Sequence, residues 1–166
     1  LSSKSLTLAS VVAVPNSLGP AELIAHYGTQ EQKDLYLHDL ATGVHIPCFG
    51  LTSTKAGSDA QSIEDYATVV QYTDKDGEEK LGLKLNFSKR YITLAPVATL
   101  VGLAVKIFDP DLLYFDKEEV GITVLLLPAD THGIVRGGRH YPSSLVFLNG
   151  PISGQDIIVS LDSIIG

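Results

Sequence analysis

The sequence has no methionine and a single cysteine, Cys48. One cysteine excludes an internal disulfide framework and cannot by itself make a zinc site. It is compatible with a reducing compartment. No block of basic residues occurs. Lys and Arg total 12 against 19 Asp and Glu, for a net charge of −7. A nucleic-acid groove or a surface made for anionic lipid therefore fits poorly. A charge-free stretch lies between Arg90 and Lys106 and contains Pro96 and Gly102. A bilayer crossing needs roughly 20 apolar residues, so this stretch reads as a buried strand. The start, "LSSKSLTLASVVAVPNS", has no initiator Met, no basic n-region and no cleavage site ahead of a plausible mature start, so it is not read as a signal peptide. The missing start and the abrupt end at "LDSIIG" lead us to expect a piece of a longer protein.

The common catalytic motifs are missing too: there is no G-x-S-x-G elbow, H-E-x-x-H, P-loop or G-x-G-x-x-G after a strand. His26, His38, His45, His132 and His140 are scattered without metal spacing. What remains is a chain of 166 residues, 45% hydrophobic and 19% charged, a composition that folds and builds a core.

The first part reads as helical. "GPAELIAHYG" places Pro20 behind a cap at Ser17 or Gly19, spaces Leu23, Ile24 and Tyr27 helically, and stops at Gly28. In "TQEQKDLYLHDLATG", Thr29 and Gln32 form a capping box, Leu35, Tyr36, Leu37 and Leu40 give an apolar face, and Gly43 ends the helix. "LTLASVVAV" ahead of them is strand-like, although its small residues also suit a buried helix. From His45 onward the pattern changes to short strands: "VHIPCFGL", "DYATVVQY", "KLGLKLNF", "RYITLA", "TLVGLAVKIF", "GITVLLLPA", "HGIVRGGRH", "SLVFLNGP" and "DIIVSL". "TDKDGEEK" reads as a hairpin turn with Gly77 at its tip. The acidic connection "DPDLLYFDKEE" reads as solvated, Glu118 and Glu119 included. The strand spacing points to an antiparallel barrel or sandwich.

Two stretches carry chemistry. In "AGSDA", Gly57 removes a Cβ that would hold a ligand away, and Ser58 sets a hydroxyl beside its backbone N–H; such a turn can cradle a pyrophosphate. It can equally be a β-turn selected for its backbone angles, with Asp59 bonding locally. In "SKRYITLAP", Tyr91 offers an aromatic face, and strand alternation puts Thr93 on the same side. That pair could hold a planar heterocycle, or be an ordinary surface stripe.

Taken in order, "NSLGPAELIAHYGTQEQKDLYLHDLATG", "FGLTSTKAGSDA" and "KRYIT" resemble the acyl-CoA dehydrogenase family. "VPNSLGP", "HYGTQEQK", "KRYITLAPVATLVGLA" and "LNGP" look like its large bacterial fatty-acid β-oxidation branch. The resemblance implies an α+β fragment: residues 1–43 as the tail of an N-terminal helical domain, and 44–166 as the middle, antiparallel flavin-binding β-barrel. It implies FAD as cofactor and α,β-desaturation of a fatty acyl-CoA. Phe49 to Ser58 would lie against FAD. Leu51 and Thr52 would bond the pyrimidine edge of the ring, and Gly57 and Ser58 would approach the pyrophosphate, with Ser58 also near the acyl-CoA. Tyr91, where the family usually has Trp, would pack on the flavin beside Ile92, and Thr93 would donate to N5. Where the family usually has Thr-Glu-Pro, this chain has Thr52-Ser53-Thr54, followed by Lys55, which either assists the pyrophosphate or is solvated. The family's catalytic Glu lies on a C-terminal helical domain that would begin after Gly166, so the 166 residues alone are expected to be inactive. The same resemblance implies an electron-transfer acceptor protein, a homo-oligomeric parent and a cytoplasmic enzyme, with peripheral inner-membrane association of the parent left open. The same fold could instead serve as a non-catalytic interaction module, or as an oxidase or flavin monooxygenase.

Overall fold

A computed structural model describes residues 3–5, 15–144 and 148–166. The segment "LTLASVVAV" and residues 145–147 of "SLVFLNGP" lie outside the described residues. Helix α1 spans Pro15–Tyr27 and α2 spans Gln30–Thr42. Strands follow as β1 (Pro47–Gly50), β2 (Tyr66–Thr73), β3 (Glu79–Thr93), β4 (Leu100–Phe108), β5 (Glu119–Pro128), β6 (Val135–Arg136) and β7 (Asn149–Ser160).

The capping box forms as its spacing requires: Thr29 Oγ1 accepts from Gln32 N at 3.2 Å, and Gln32 Oε1 accepts from Thr29 N at 3.1 Å. Two helix expectations need correction. Pro20 lies inside α1 rather than at its start. It is buried against the sheet, where a Cβ on Gly102 would come within 3.0 Å of Pro20 Cγ and 3.1 Å of Phe49 Cδ2. Glycine at 102 is thus what lets the helix and β1 approach β4. Leu35 is 63% exposed and leaves the apolar face. The inward face follows the Gln32, Tyr36 and Leu40 spacing of four, with Leu37 beside it. Tyr36, Leu37 and Leu40 pack around Ile24, Leu100 and Leu126. Gln32 ties α2 to the end of the chain through Nε2, which donates to the carbonyls of Asp162 (3.0 Å) and Ile164 (2.7 Å).

The sheet is mixed, which corrects the purely antiparallel expectation. Its seven strands run β1-β4-β2-β3-β7-β6, with β5 also on β4. β5 takes one edge of β4 along its length, antiparallel. β1 and β2 divide the other edge, both parallel: β1 pairs with Leu100–Leu103 and β2 with Lys106–Phe108. The reason is the connection between them, residues 51–65, which carries the chain across rather than turning it back as a hairpin would. After β7 the chain reaches β5, where Ile164 bridges Leu125 and Ile165 N donates to Val124 O at 3.0 Å. One end of the sheet is thereby brought round to the other, so the sheet is curled like a barrel wall. "KLGLKLNF" and "RYITLA" form a single long strand, β3, whose register shifts against β7 between Lys89 and Ile92. "HGIVRGGRH" yields only the two residues of β6.

The main core joins Leu83, Leu85, Leu103, Val105, Leu125 and Ile152. Cys48 lies in it, fully buried, and burial pushes its thiol up to about 12 despite the charge of Arg136. Such a thiol is inert at neutral pH. Glu118 and Glu119 are exposed, but the acidic connection they belong to is organised by a buried carboxylate. Asp109, with no exposed surface, accepts backbone N–H bonds from Leu113 (2.9 Å), Tyr114 (2.8 Å) and Phe115 (2.8 Å). Burial alone would raise the pKa of Asp109, but the three donors outweigh it, leaving it below the ordinary carboxylate value. A lowered native pKa stabilises the fold above the unfolded value and loses that stabilisation as pH falls through the native one. Asp109→Asn is therefore expected to lower stability at neutral pH and to flatten its decline below about pH 4. Urea unfolding midpoints across that range check this.

Candidate functional site

β1 ends at Gly50, and the following segment lies along β3. Arg90 N donates to Thr52 O (3.1 Å), Thr54 N to Ser88 O (3.2 Å), and Ser53 bridges Lys89. Ser53 closes the loop on itself: its N donates to Ala56 O (3.0 Å) and its Oγ accepts from Ala56 N (3.1 Å).

Beneath this junction lies a buried ion pair. Lys89 Nζ meets Asp65 Oδ2 at 2.7 Å and donates to Leu51 O at 3.0 Å; the side chains are 0% and 4% exposed. The other Asp65 oxygen accepts from Ser88 N at 2.7 Å, and Asp65 O accepts from Lys106 N at 3.0 Å. Burial lowers the pKa of Lys89, and the Asp65 carboxylate opposes that shift. One ammonium therefore holds the Leu51 carbonyl, β3 and the start of β2 together.

Among the predicted residues, Leu51 and Thr52 are half-buried against β3, and Phe49 is half-buried beside Gly102. Gly57 and Ser58 are exposed farther along the loop. A Cβ on Gly57 would meet nothing within 4 Å, and its φ is not in the left-handed region. Neither packing nor backbone angle within the described residues requires a glycine there. The local half of the turn reading does hold at Asp59, which accepts from Gln61 N at 3.1 Å and bonds Ser62 Oγ. Lys55 pairs with Glu64 at 2.8 Å on the surface.

Tyr91, Ile92 and Thr93 end β3, but not in simple alternation. Tyr91 has φ +57° and is 50% exposed, whereas Ile92 and Thr93 are buried. The left-handed residue at the register shift breaks the two-residue period, so alternation alone does not decide whether Tyr91 and Thr93 share a face. The Tyr91 ring lies 4.5 Å from the Arg90 guanidinium and 5.0 Å from the His140 ring. Thr93 is paired in register with Asn149, whose Nδ2 is 3.5 Å from Thr93 Oγ1. Among the described residues, the buried side-chain atoms without a partner are Asn149 Oδ1 and His140 Nδ1. Such an atom costs about 1–3 kcal/mol.

Three residues that matter here have no role in the motif reading, although Lys89 lies in "KRYIT" and Asn149 in "LNGP". Lys89 continues the inward series Leu83, Leu85, Phe87, and Asp65 belongs to the inward series Ile63, Ala67, Val69. A charge on each of two core-facing alternations was the readable signal of a buried pair. Asn149 had no such signal, because its importance comes from standing opposite Thr93.

Two concavities lie among the described residues, and the second takes Ser53 and Thr54 from the Phe49–Ser58 stretch. One of about 860 Å³ lies between α2, Phe115 and the 160–166 segment. The other, about 380 Å³, is lined by Ser53, Thr54, Asp65, Ser88 and Gly154 among others. Of the predicted residues, Gly57, Ser58 and Tyr91 are exposed, whereas Ile92 and Thr93 are buried.

Removing Lys89 leaves Asp65 buried and unpaired, and such losses cost about 3–5 kcal/mol. Lys89→Met is expected to destabilise the chain by that order in urea unfolding. Lys89→Met with Asp65→Leu is expected to recover part of it, the remainder reflecting the orphaned N–H of Ser88.

No protein-family profile matches the chain. A probable acyl-CoA dehydrogenase, YngJ of Bacillus subtilis (strain 168), is 34% identical over 122 residues, 71% of this chain and 27% of that protein. Protein HemX of Proteus mirabilis is 48% identical over 63 residues, 38% of this chain and 37% of that protein. That match covers less than half of the chain and carries no family assignment. Among solved structures, butyryl-CoA dehydrogenase of Megasphaera elsdenii superposes with TM-score 0.72 at 28% identity, over 97% of this chain and 37% of that one. A glutaryl-CoA dehydrogenase of Mycobacterium smegmatis in complex with FADH2 superposes with TM-score 0.68 at 26% identity, over 93% of this chain and 35% of that one. The chain thus spans between 27% and 37% of the length of these proteins. Fold, element order and the sequence likeness to YngJ agree: the chain belongs to the acyl-CoA dehydrogenase family.

Proposed function

We propose that this chain is the flavin- and acyl-CoA-binding region of a FAD-dependent dehydrogenase that desaturates fatty acyl-CoA between its α and β carbons. The observation that carries the reading is the junction held by Lys89. It joins Leu51 and Thr52, at the start of the hydroxyl-rich loop, to the strand that ends in Tyr91, Ile92 and Thr93. The residues present suit a flavin nucleotide. Gly57 faces open space with no internal need for glycine, Tyr91 offers a half-exposed ring, and buried polar atoms without partners lie on Asn149, opposite Thr93, and on His140, against the Tyr91 ring.

Bound FAD would supply the hydride acceptor. The chain's own residues bind and orient. Gly57 and Ser58 allow close approach of their backbone N–H groups to the pyrophosphate. Leu51 and Thr52, fixed through their carbonyls, present the pyrimidine-edge contacts, with Phe49 behind them. Tyr91 would pack its half-exposed ring on the flavin, backed by the buried Ile92. Thr93 would supply a hydroxyl donor for N5, where negative charge builds on reduction; a preorganised donor there favours the transition state over the ground state.

The full-length protein that carries this sequence is expected to show a flavin band that bleaches anaerobically when a long-chain acyl-CoA is added. A band that never bleaches removes the substrate assignment, and no band after incubation with FAD removes the cofactor. Thr93→Ala is expected to slow flavin reduction in stopped flow by about tenfold or more while leaving acyl-CoA affinity nearly unchanged.

A further inference from the structure

We infer that Asn149 is a positioning residue for Thr93: its amide donates to the Thr93 oxygen and so turns the threonine's own proton outward, toward the acceptor that Thr93 serves. The inference rests on the flavin reading above and adds to it a residue of the "LNGP" stretch to which the resemblance gives no role.

Asn149 is held from both sides. Its β7 partner in β3 is Thr93, Leu94 N donates to Leu148 O at 2.8 Å, and His140 N donates to Asn149 O at 2.8 Å. The residue is 3% exposed, and its Nδ2 faces Thr93 Oγ1 at 3.5 Å. That bond is long and weak, so its effect is directional. A hydroxyl that accepts from an N–H must aim its own hydrogen elsewhere. Were the amide reversed, Oδ1 would take the Thr93 proton, and Thr93 could no longer donate to a ligand.

The unpartnered atoms decide between the two orientations. As observed, one buried acceptor, Asn149 Oδ1, has no partner among the described residues. Reversed, the –NH2 group would occupy that position and leave two N–H donors unpaired, where the observed orientation leaves one N–H and one oxygen. Orphaned donors are rarer and less tolerated than under-satisfied carbonyls. The amide therefore keeps its nitrogen on Thr93. Asparagine suits the position for a second reason: an aspartate of the same shape can only accept when ionised, and would capture the proton that Thr93 is meant to give.

The test uses the full-length, FAD-loaded protein and reads the flavin reduction potential by dye equilibration, with the visible spectrum beside it. Thr93→Val is expected to shift the reduction equilibrium about tenfold against the reduced flavin, about 30 mV for a two-electron couple. Asn149→Leu, which removes the donor without adding a charge that acts on the flavin directly, is expected to shift the potential in the same direction as Thr93→Val, and to add nothing in a Thr93→Val background. Thr93→Ser, which keeps the hydroxyl, is expected to retain the native potential. If Asn149→Leu fails to fold with flavin bound, Asn149→Ala also removes the donor without adding charge and reads the same coupling. An Asn149 variant with the native potential, or one whose shift adds in full to that of Thr93→Val, overturns the inference and leaves the flavin reading standing. A protein that binds no FAD overturns both.

Discussion

A single ammonium group, buried where the sequence would ordinarily place a leucine, organises this molecule. Lys89 satisfies the Asp65 carboxylate and the Leu51 carbonyl at once. Buried ion pairs are weak evidence of stability, since desolvation offsets their attraction, and their clearer value is in fixing one arrangement against others. Here the arrangement fixed is a junction of three segments. Asp65 leads into β2, Lys89 sits in β3 ahead of the register shift, and Leu51 opens the loop after β1. An apolar pair of the same volume could fill the space, but it would not bind a backbone carbonyl and so would not specify where the loop lies.

That placement sets the environment for the end of β3. With the loop docked as far as Thr54, the left-handed turn at Tyr91 brings the aromatic ring out to Arg90 and His140 while Ile92 and Thr93 continue inward. A left-handed tyrosine is uncommon and stays only where its surroundings over-determine it. The junction on one side and the pairing with β7 on the other supply that constraint. Exposed ring and buried hydroxyl thus come from adjacent stretches of one strand with different surroundings.

Much of this was legible in the residues. The capping box at Thr29 and Gln32, the hairpin at Gly77 and most strand positions follow from local chemistry, which spacing reports directly. Three features did not follow. The parallel pairing of β1 and β2 on one edge of β4 depends on where a long connection goes, and periodicity carries no information about that. The position of Pro20 depends on the glycine at 102, far away in sequence, that makes room for it. The break in alternation at Tyr91 depends on strand pairing. The motif residues follow from their type, whereas the role of Asn149, present in "LNGP", follows only from its pairing with Thr93. Lys89 and Asp65 lie between these cases, since each interrupts an apolar series that a closer reading of the alternation would have flagged.

The division of one β4 edge between two parallel strands has a further consequence, in the cost of building the fold. The β2–β3 and β4–β5 pairings join segments adjacent in sequence, so each closes a short stretch of chain. Setting Pro47 beside Leu100, by contrast, closes a loop that contains both β2 and β3. Loop-closure entropy grows with the chain enclosed, and non-local pairings are the slow ones. The loop proposed to meet the flavin leaves directly from that costly strand. The region assigned the chemistry is therefore the one that local order does least to assemble, and its geometry is inherited from the rest of the sheet.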